Sequence, residues 1–159
     1  MTRPYTTSRP RPEPAKGGAE RDIYTPLPKE WGHGDGEYAG GVLTLVLPKP
    51  PRELMPNGRV HWRAKARLTK AHRQYAQVAA LAALKGERPE WRRAVAQVVW
   101  YSPQAARLDG DNCLSAAKSY FDGLADAGVV ANDRGITHLP VQIVKDSETR
   151  VVIAVREDN

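Results

Sequence analysis

Residues 93–128, RAVAQVVWYSPQAARLDGDNCLSAAKSYFDGLADAG, have the pattern of a strand followed by a helix. Apolar side chains fall on both alternating faces of residues 93–102, which is typical of a strand covered on both sides. The next apolar positions recur at helical spacing, at Leu114, Ala117, Phe121 and Leu124. This helix is predicted to begin at Asp111 or Asn112, because either side chain can cap it, and to end near Ala127. The stretch therefore indicates a sheet with a helix packed on it.

Further elements are predicted on both sides of this stretch. Residues 41–47 form a β-leaning apolar run that stops at Pro48, and the apolar period of residues 68–85 predicts a second helix. Two last strands, at residues 138–145 and 149–156, are expected to pair as a hairpin. The resulting order predicts a small α+β domain, with a mixed β-sheet and two main helices packed on it.

The first 40 residues differ in composition from the rest of the chain. They are rich in proline and glycine and poor in apolar residues, so they cannot bury enough surface to offset the entropy lost on ordering. Residues 1–40 are therefore predicted to be a disordered tail, and residues 41–159 to be one folded domain. Within the tail, four apolar residues are expected to dock locally: Ile23, Tyr24, Leu27 and Trp31.

Composition excludes several classes of protein. The single cysteine, Cys113, rules out a disulfide framework and is expected to be a small buried side chain. No apolar run approaches the roughly 20 residues of a membrane-spanning helix, and the N-terminus lacks the apolar segment of a secretory signal. We therefore expect a cytoplasmic protein with no membrane partner.

Positive charge is concentrated in the middle of the chain. The net charge is +6 over 159 residues, but residues 41–93 carry twelve basic and three acidic side chains, whereas residues 94–159 carry six basic and nine acidic ones. This distribution suggests that the basic segment binds a polyanion and that the acidic segment binds a cation, such as a metal ion. Charges clustered by chance on solvated faces are the alternative.

Two aspartates with a metal-binding spacing lie near the start of the helix in the opening stretch. Asp109 and Asp111 flank a glycine, and in an extended segment both side chains would point the same way. Two adjacent carboxylates repel each other unless a cation lies between them, and hard divalent ions prefer oxygen ligands. Asp133 follows in a turn-like segment beyond the helix. Solvated turn residues are the simpler interpretation of these aspartates.

A longer pattern around the aspartates resembles the RusA family of Holliday junction resolvases, which occur in phages and prophages. The family pattern is an arginine and two aspartates at alternate positions, a helix with a lysine and Phe-Asp-x-Leu, then Ala-Gly and an acidic residue. The matching positions are Arg107, Asp109, Asp111, Asn112, Lys118, Phe121, Asp122, Leu124, Ala127, Gly128 and Asp133. Upstream, the proline-rich residues 47–51 and Pro56-Asn57 resemble the family's strand-ending proline turn, so the resemblance spans about residues 43–156.

The resemblance implies both a fold and a function. It implies a RusA-like homodimer that acts as a magnesium-dependent endodeoxyribonuclease on four-way DNA junctions, in recombination, repair or phage DNA processing in a bacterial host. Asp109, Asp111 and Asp133 are then the metal ligands, with Mg²⁺ as the ion and Mn²⁺ able to replace it. Phosphodiester hydrolysis fits this assignment, because a metal ion activates water and stabilises the charge of the transition state.

Lys118 is where the chain departs from the family pattern. The family lysine lies four residues after the second aspartate, where this chain has Ser115, whereas Lys118 lies seven residues after Asp111. Positions i+4 and i+7 lie on nearly the same helical face. We therefore predict that Lys118 is catalytic and contacts the scissile phosphate or the attacking water.

The basic stretch at residues 59–73 is the predicted DNA-binding segment. It carries six basic and no acidic side chains, and Trp62 can stack on an unpaired base or wedge at a branch point. The predicted DNA-binding residues are Arg59, Trp62, Arg63, Lys65, Arg67, Lys70 and Arg73, together with Arg107. A solvated helix start with Trp62 in the core is the alternative.

Two other functions stay open. The displaced lysine keeps a non-catalytic protein that binds branched DNA among the candidates. A nuclease of the same chemistry that cuts replication forks or flaps is the other candidate. Cleavage assays on junctions, forks and linear duplex, with and without Mg²⁺, discriminate among the three.

Overall fold

The computed structural model describes Leu27 and residues 30–159, in which a mixed six-stranded sheet carries helices on one face. The strands are β1 (Gly36–Ala39), β2 (Val42–Leu47), β3 (Ala94–Ser102), β4 (Ile136–His138), β5 (Gln142–Lys145) and β6 (Arg150–Glu157). The helices are α1 (Trp62–Leu84), α2 (Gly110–Ala116) and α3 (Lys118–Asp126), with short 3₁₀ turns at Arg52–Leu54, Ala105–Arg107 and Asp133–Gly135. The predicted α+β class is confirmed.

The centre of the sheet is formed by β3 and β6. The strand order is β1-β2-β6-β3, and β4 and β5 follow one another along the far side of β3. Because β3 is parallel to β4 and β5, α2 and α3 form the crossover between parallel strands. The predicted hairpin of residues 138–145 with 149–156 is wrong, since β5 and β6 lie on opposite sides of β3 and do not pair with each other.

The predicted disordered tail is wrong at residues 36–39, which form the edge strand β1. β1 pairs antiparallel with β2 through the two-residue turn Gly40-Gly41. Both glycines have positive φ, 60° and 75°, which is the backbone conformation that a tight hairpin turn of this kind requires. The folded domain therefore begins before residue 41. Residues 1–26, 28 and 29 of the predicted tail lie outside the described residues.

The face of the sheet opposite the helices is partly covered by Leu27 and Trp31. These two side chains pack against a small apolar cluster made of Val46, Val99, Tyr101 and Val152. The local docking that the sequence led us to expect is thus found for this pair. Ile23 and Tyr24, expected to dock in the same way, lie outside the described residues.

Helix α1 begins at Trp62, whereas the apolar period predicted a start near residue 68. The ring nitrogen Nδ1 of His61 accepts a hydrogen bond from the Arg63 backbone N–H at 3.2 Å and so caps the helix. The first turns are basic and exposed. They therefore lack the apolar residues at helical spacing from which a helix can be predicted. Among the described residues no helix, this long one included, is apolar enough to cross a membrane.

The helices α1 and α3 approach closely because α3 presents a glycine to α1. A Cβ built on Gly123 would lie 2.2 Å from the carbonyl oxygen of Arg73. The Arg73 guanidinium donates two hydrogen bonds to the Asp126 carboxylate, at 2.5 and 2.8 Å, beside the same contact. Deeper in the domain, the hydroxyl of Tyr120 donates to the carbonyl of Pro48. These contacts hold α3 against α1 and against the end of β2, and so set the position of the first turn of α3 relative to the sheet.

Gly123→Ala is expected to lower the free energy of unfolding by about 1–3 kcal/mol, because the added methyl group forces the two helices apart. Helix propensity alone would favour alanine, so the sign of the change tests the packing. Urea unfolding followed by circular dichroism measures the effect. Gly32→Ala is the control, since a Cβ there meets only an Asp35 oxygen at 3.8 Å, and should change stability by less than about 0.5 kcal/mol. An unchanged Gly123→Ala midpoint would contradict the close packing.

Candidate active site

The structure brings Lys118 and Asp133 together, although they are fifteen positions apart in the sequence. Lys118 is the first residue of α3, and Asp133 begins the 3₁₀ turn that follows that helix. The Nζ atom of Lys118 lies 3.3 Å from Oδ2 of Asp133. Asp122, one turn further along α3, accepts a hydrogen bond from the same ammonium at 3.2 Å. One cation therefore bridges two carboxylates.

The electrostatics of this cluster keep the ion pair charged across neutral pH. The hydrogen bond to Asp122 contributes most to raising the pKa of Lys118, and the bond to Asp133 adds to it. The hydrogen bond from Lys118 is the main cause that lowers the pKa of Asp133. Lys118 therefore stays protonated above its usual range, and Asp133 stays ionised below its usual range.

Lys118 and Asp133 line an open cavity of about 250 Å³, together with Leu114, Ser115, Phe121 and His138. Sequence reasoning assigned no function to His138, whose ring packs edge-on against Phe121 with the centroids 4.6 Å apart. Desolvation, followed by the positive charge of Lys118, lowers the pKa of His138. Its imidazole is therefore neutral at neutral pH. No spacing in the sequence links His138 to this cluster.

Asp109 and Asp111 do not form the parallel pair that the sequence predicts. The helix begins at Gly110 and not at Asp111 or Asn112, so the assumed extended segment is wrong. Asp109 is the N-cap of α2, and its Oδ1 accepts hydrogen bonds from the backbone N–H groups of Asp111 and Asn112, at 2.9 and 3.2 Å. Asp111 lies in the first helical turn and is exposed. The Asp109 carboxylate is therefore bound to the backbone at the start of α2, whereas the Asp111 carboxylate is exposed on its first turn.

The predicted metal ligands are spread along this crossover. Asp111 and Lys118 are at i and i+7 on one helical face, because Ala117 between α2 and α3 keeps a right-handed helical conformation. Seven residues correspond to about 10 Å of helix rise. Accordingly, the part of the chain that the structure describes contains no group of three or more Asp, Glu, His or Cys side chains placed to hold a metal ion. The oxygen donors suit a hard cation in their chemistry but are not gathered around one point, so the Mg²⁺ site stays a prediction.

Six of the eight predicted DNA-binding residues lie on the first turns of α1 or just before it. Trp62 is 68% exposed, which excludes the alternative that places it in the core. Its ring stacks on His61 with centroids 5.8 Å apart, and the Arg63 guanidinium lies 5.1 Å from the ring centroid. The other exposed cations here are Arg59, Lys65, Arg67 and Lys70. We call these five cations and Trp62 the basic surface.

Two predicted DNA-binding arginines lie elsewhere. Arg73 is held in its ion pair with Asp126, where it joins α1 to α3, so its guanidinium is engaged within the protein. Arg107 ends a 3₁₀ turn, is exposed, and lines a cavity that also contains Asp109. The basic surface and Arg107 are therefore the predicted cations that remain available to a polyanion.

Neutralising Arg63, Lys65 and Arg67 together with glutamine is expected to weaken binding to every form of DNA. The slope of log K against log salt should flatten by about 0.9 for each phosphate that the protein no longer neutralises, or up to about 3 for the triple variant. Fluorescence anisotropy over a range of salt concentrations measures the slope. The control removes three exposed cations outside the basic surface: Arg88→Gln, Arg92→Gln and Lys145→Gln. An unchanged slope in the first variant and a flatter slope in the control would move the DNA-binding face away from α1.

Comparison with known proteins finds a relative in sequence. No family model matches the chain. Among solved structures, the crystal structure of a HypE-HypF complex matches with a TM-score of 0.29 and 13% identity, over 77% of this chain and 34% of that chain, and a likeness this low carries no argument. An uncharacterized protein of Xylella fastidiosa is 32% identical over 122 residues, which are 72% of this chain and 76% of that protein. The chain therefore belongs to the same protein family as this Xylella fastidiosa protein.

Proposed function

We propose that the chain is a magnesium-dependent endodeoxyribonuclease of the RusA type that hydrolyses phosphodiesters at four-way DNA junctions. The observation that carries the proposal is the contact of Lys118 with Asp133. The resemblance alone assigns these two residues to one site, and they lie 3.3 Å apart on one cavity. The exposed basic surface supports DNA as the partner, because basic side chains supply affinity for phosphates without regard to sequence.

In this proposal Lys118 acts on the scissile phosphate. Asp122 and Asp133 hold its ammonium at one edge of the cavity and keep it protonated. A cation in that place stabilises negative charge that grows only in the transition state. The neutral imidazole of His138 on the same cavity is a proton acceptor.

In this proposal the carboxylates of Asp109, Asp111 and Asp133 would hold Mg²⁺, which requires them to lie closer together than they do in the structure. When bound, the ion supplies an activated water and neutralises charge on the phosphate. Asp133 then has two tasks, because it also orients the ammonium of Lys118. Replacing it should therefore affect both groups.

The homodimer and a cytoplasmic location in a bacterial host of the phage or prophage belong to the same proposal. Helix α1 has an apolar face suited to a second copy of the chain. This face consists of three exposed side chains: Tyr75 (37% exposed), Val78 (60%) and Leu81 (47%). They are spaced at i, i+3 and i+6 and so lie along one side of the helix. Light scattering of the protein in solution measures the oligomeric state.

A non-catalytic protein that binds branched DNA is the second candidate. The observation that favours it is the separation of Asp109 and Asp111 from the Lys118–Asp133 contact, with no three-ligand group among the described residues. A protein of this class would keep the basic surface and the fold but lack hydrolysis. A fork or flap nuclease shares the chemistry of the first proposal and differs only in substrate.

The experiment that separates these functions compares three labelled substrates of matched sequence: a four-way junction, a replication fork and a linear duplex. The proposal expects paired nicks in the junction, faster than any cleavage of the other two, and only with Mg²⁺ or Mn²⁺ present. Tight junction binding without nicks would favour the second candidate. Faster cleavage of the fork would assign the chain to the fork nucleases.

A further inference from the structure

A second cavity, of about 260 Å³, lies beside α2, and its lining shares no residue with the cavity that contains Lys118. Its polar lining consists of Arg52, Asn57, Arg107, Asp109 and Asn112, and the buried Cys113 also lines it. The cavity lies between the segment at residues 52–58 and the N-terminal turn of α2. Residues 52–58 include part of the proline-turn motif, which the proposed function leaves without a role.

The wall formed by residues 52–58 is a tightly closed loop. The N–H of Gly58 donates to the carbonyl of Met55 at 2.9 Å. A Cβ on Gly58 would lie 2.8 Å from the carbonyl oxygen of Glu53 and 2.9 Å from that of Arg52, so only glycine allows the loop to fold this close. The backbone thereby holds Arg52 and Asn57 on the same wall of the cavity.

The charge of the cavity is positive. Arg52 and Arg107 are both exposed, and neither forms an ion pair with another residue that the structure describes. The single carboxylate in the lining, Asp109, already accepts two backbone hydrogen bonds from the start of α2. The two guanidinium groups therefore outnumber the single carboxylate of the lining.

Lys49 lies close enough to Cys113 to affect it electrostatically and so contributes a further positive charge to the region. The cavity is therefore suited to an anion.

We propose that this cavity binds a phosphate group of a nucleic-acid strand, with Arg52 and Arg107 as its cationic ligands and the side-chain amides of Asn57 and Asn112 as further donors. A planar guanidinium can donate two parallel hydrogen bonds to phosphate oxygens, and two guanidiniums on one cavity match a group with several such oxygens. The identity of the ligand as DNA rests on the proposed function, whereas the anion chemistry of the cavity does not. Asp109 on the same cavity places this phosphate next to a predicted metal ligand.

The test is a titration of the ¹⁵N-labelled chain, without added metal, by two probes: inorganic phosphate and a short single-stranded DNA. The backbone N–H signals of Asn57, Gly58 and Asn112 are expected to shift with both probes. Arg52→Gln should weaken this response and raise the dissociation constant about tenfold, because the variant loses a charge-assisted hydrogen bond to the phosphate. Arg88→Gln is the matched control, because Arg88 is an exposed arginine outside the cavity, paired with Glu90.

The outcomes separate this inference from the proposed nuclease. Shifts at the cavity with both probes, weakened about tenfold in Arg52→Gln and unchanged in Arg88→Gln, support the inference even if the chain cuts no DNA. Shifts with inorganic phosphate alone would overturn the assignment to a nucleic-acid strand. Shifts confined to the basic surface, with none at the cavity, would overturn the inference and leave the nuclease proposal standing.

Discussion

Asp133→Asn is expected to lower the single-turnover rate of junction cleavage by at least about 10²-fold, because several kcal/mol of transition-state stabilisation by the metal depend on its carboxylate. Junction binding should stay the same or become tighter, since the substitution also removes a negative charge that repels phosphates. The loss combines two effects, because Asp133 is both a predicted metal ligand and a partner of Lys118, 3.3 Å away. Asp111→Asn should act in the same direction through the metal alone.

The control for this prediction is Asp146→Asn, which also removes a carboxylate paired with a cation. Asp146 contacts Arg150 at 3.0 Å in the loop between β5 and β6 and lines neither cavity. Gel-shift and cleavage assays on one junction measure binding and rate side by side. Cleavage by Asp133→Asn at a rate close to that of the wild-type chain would remove Asp133 from the site.

Lys118→Ala is expected to reduce the turnover rate by about 10²- to 10³-fold with little change in junction binding, because an electrostatic interaction made in the transition state affects rate more than affinity. Removing the ammonium should also raise the pKa of Asp133 toward its ordinary value, since Lys118 is the main cause that lowers it. The carboxylate titration can be followed by NMR without any DNA. This second readout tests the ion pair itself even if the chain proves inactive.

Three variants serve as comparisons for Lys118→Ala. Lys145→Ala removes an exposed lysine outside both cavities and should keep the wild-type rate. Arg107→Ala and Arg134→Ala remove the other cations near the predicted metal ligands in sequence. A large loss of rate confined to either arginine, with Lys118→Ala silent, would contradict the role given to Lys118.

The pH dependence of the ion pair between Lys118 and Asp133 has a defined sign. Because the pKa of Asp133 is lowered, the ion pair forms once the pH exceeds that value and breaks as the pH falls through it. Because the pKa of Lys118 is raised, chiefly by Asp122, the ion pair persists above the usual range of a lysine and breaks only at higher pH. Cleavage that depends on this pair should therefore vary little around neutral pH.

The sequence predicts the strands β2 and β3 closely because both are apolar runs with clear stops. Pro48 ends the first run, and all nine residues of β3 are buried, as its two apolar faces indicate. The start of α1 is missed for the opposite reason. Its first turns are exposed, and His61 caps them. Because they bury no apolar face, the sequence there has no apolar residues at helical spacing.

Strand pairing is the part of the fold that local patterns predict poorly. The turn at residues 146–148 correctly separates two strands, yet β5 pairs with β3 because the crossover through α2 and α3 delivers it to that edge. β1 is missed because its residues, GEYA, have low strand propensity apart from Tyr38. The pairing of β5 and the formation of β1 both depend on which strand the tertiary fold places next to them.

The candidate site also combines a contact that has a local signal in the sequence with contacts that depend on the tertiary fold. The ion pair of Lys118 with Asp122 has a local signal in the sequence, the i, i+4 spacing, from which we did not predict it. The resemblance assigns Asp133 to the same site as Lys118, whereas the approach of His138 depends on the turn after α3 and is visible only in the structure. The setting of Asp109 is missed because an N-cap aspartate and a ligand aspartate look identical in the sequence.

The central claim is tested most directly by incubating the wild-type chain with a labelled four-way junction in Mg²⁺ and in EDTA, with Asp133→Asn beside it. We predict paired nicks by the wild-type chain in Mg²⁺, none in EDTA, and none by the variant, although all three samples shift the junction in a gel. A junction that is bound but never nicked in Mg²⁺ or Mn²⁺, or nicking that survives EDTA, would contradict a magnesium-dependent endonuclease built on Asp133 and Lys118.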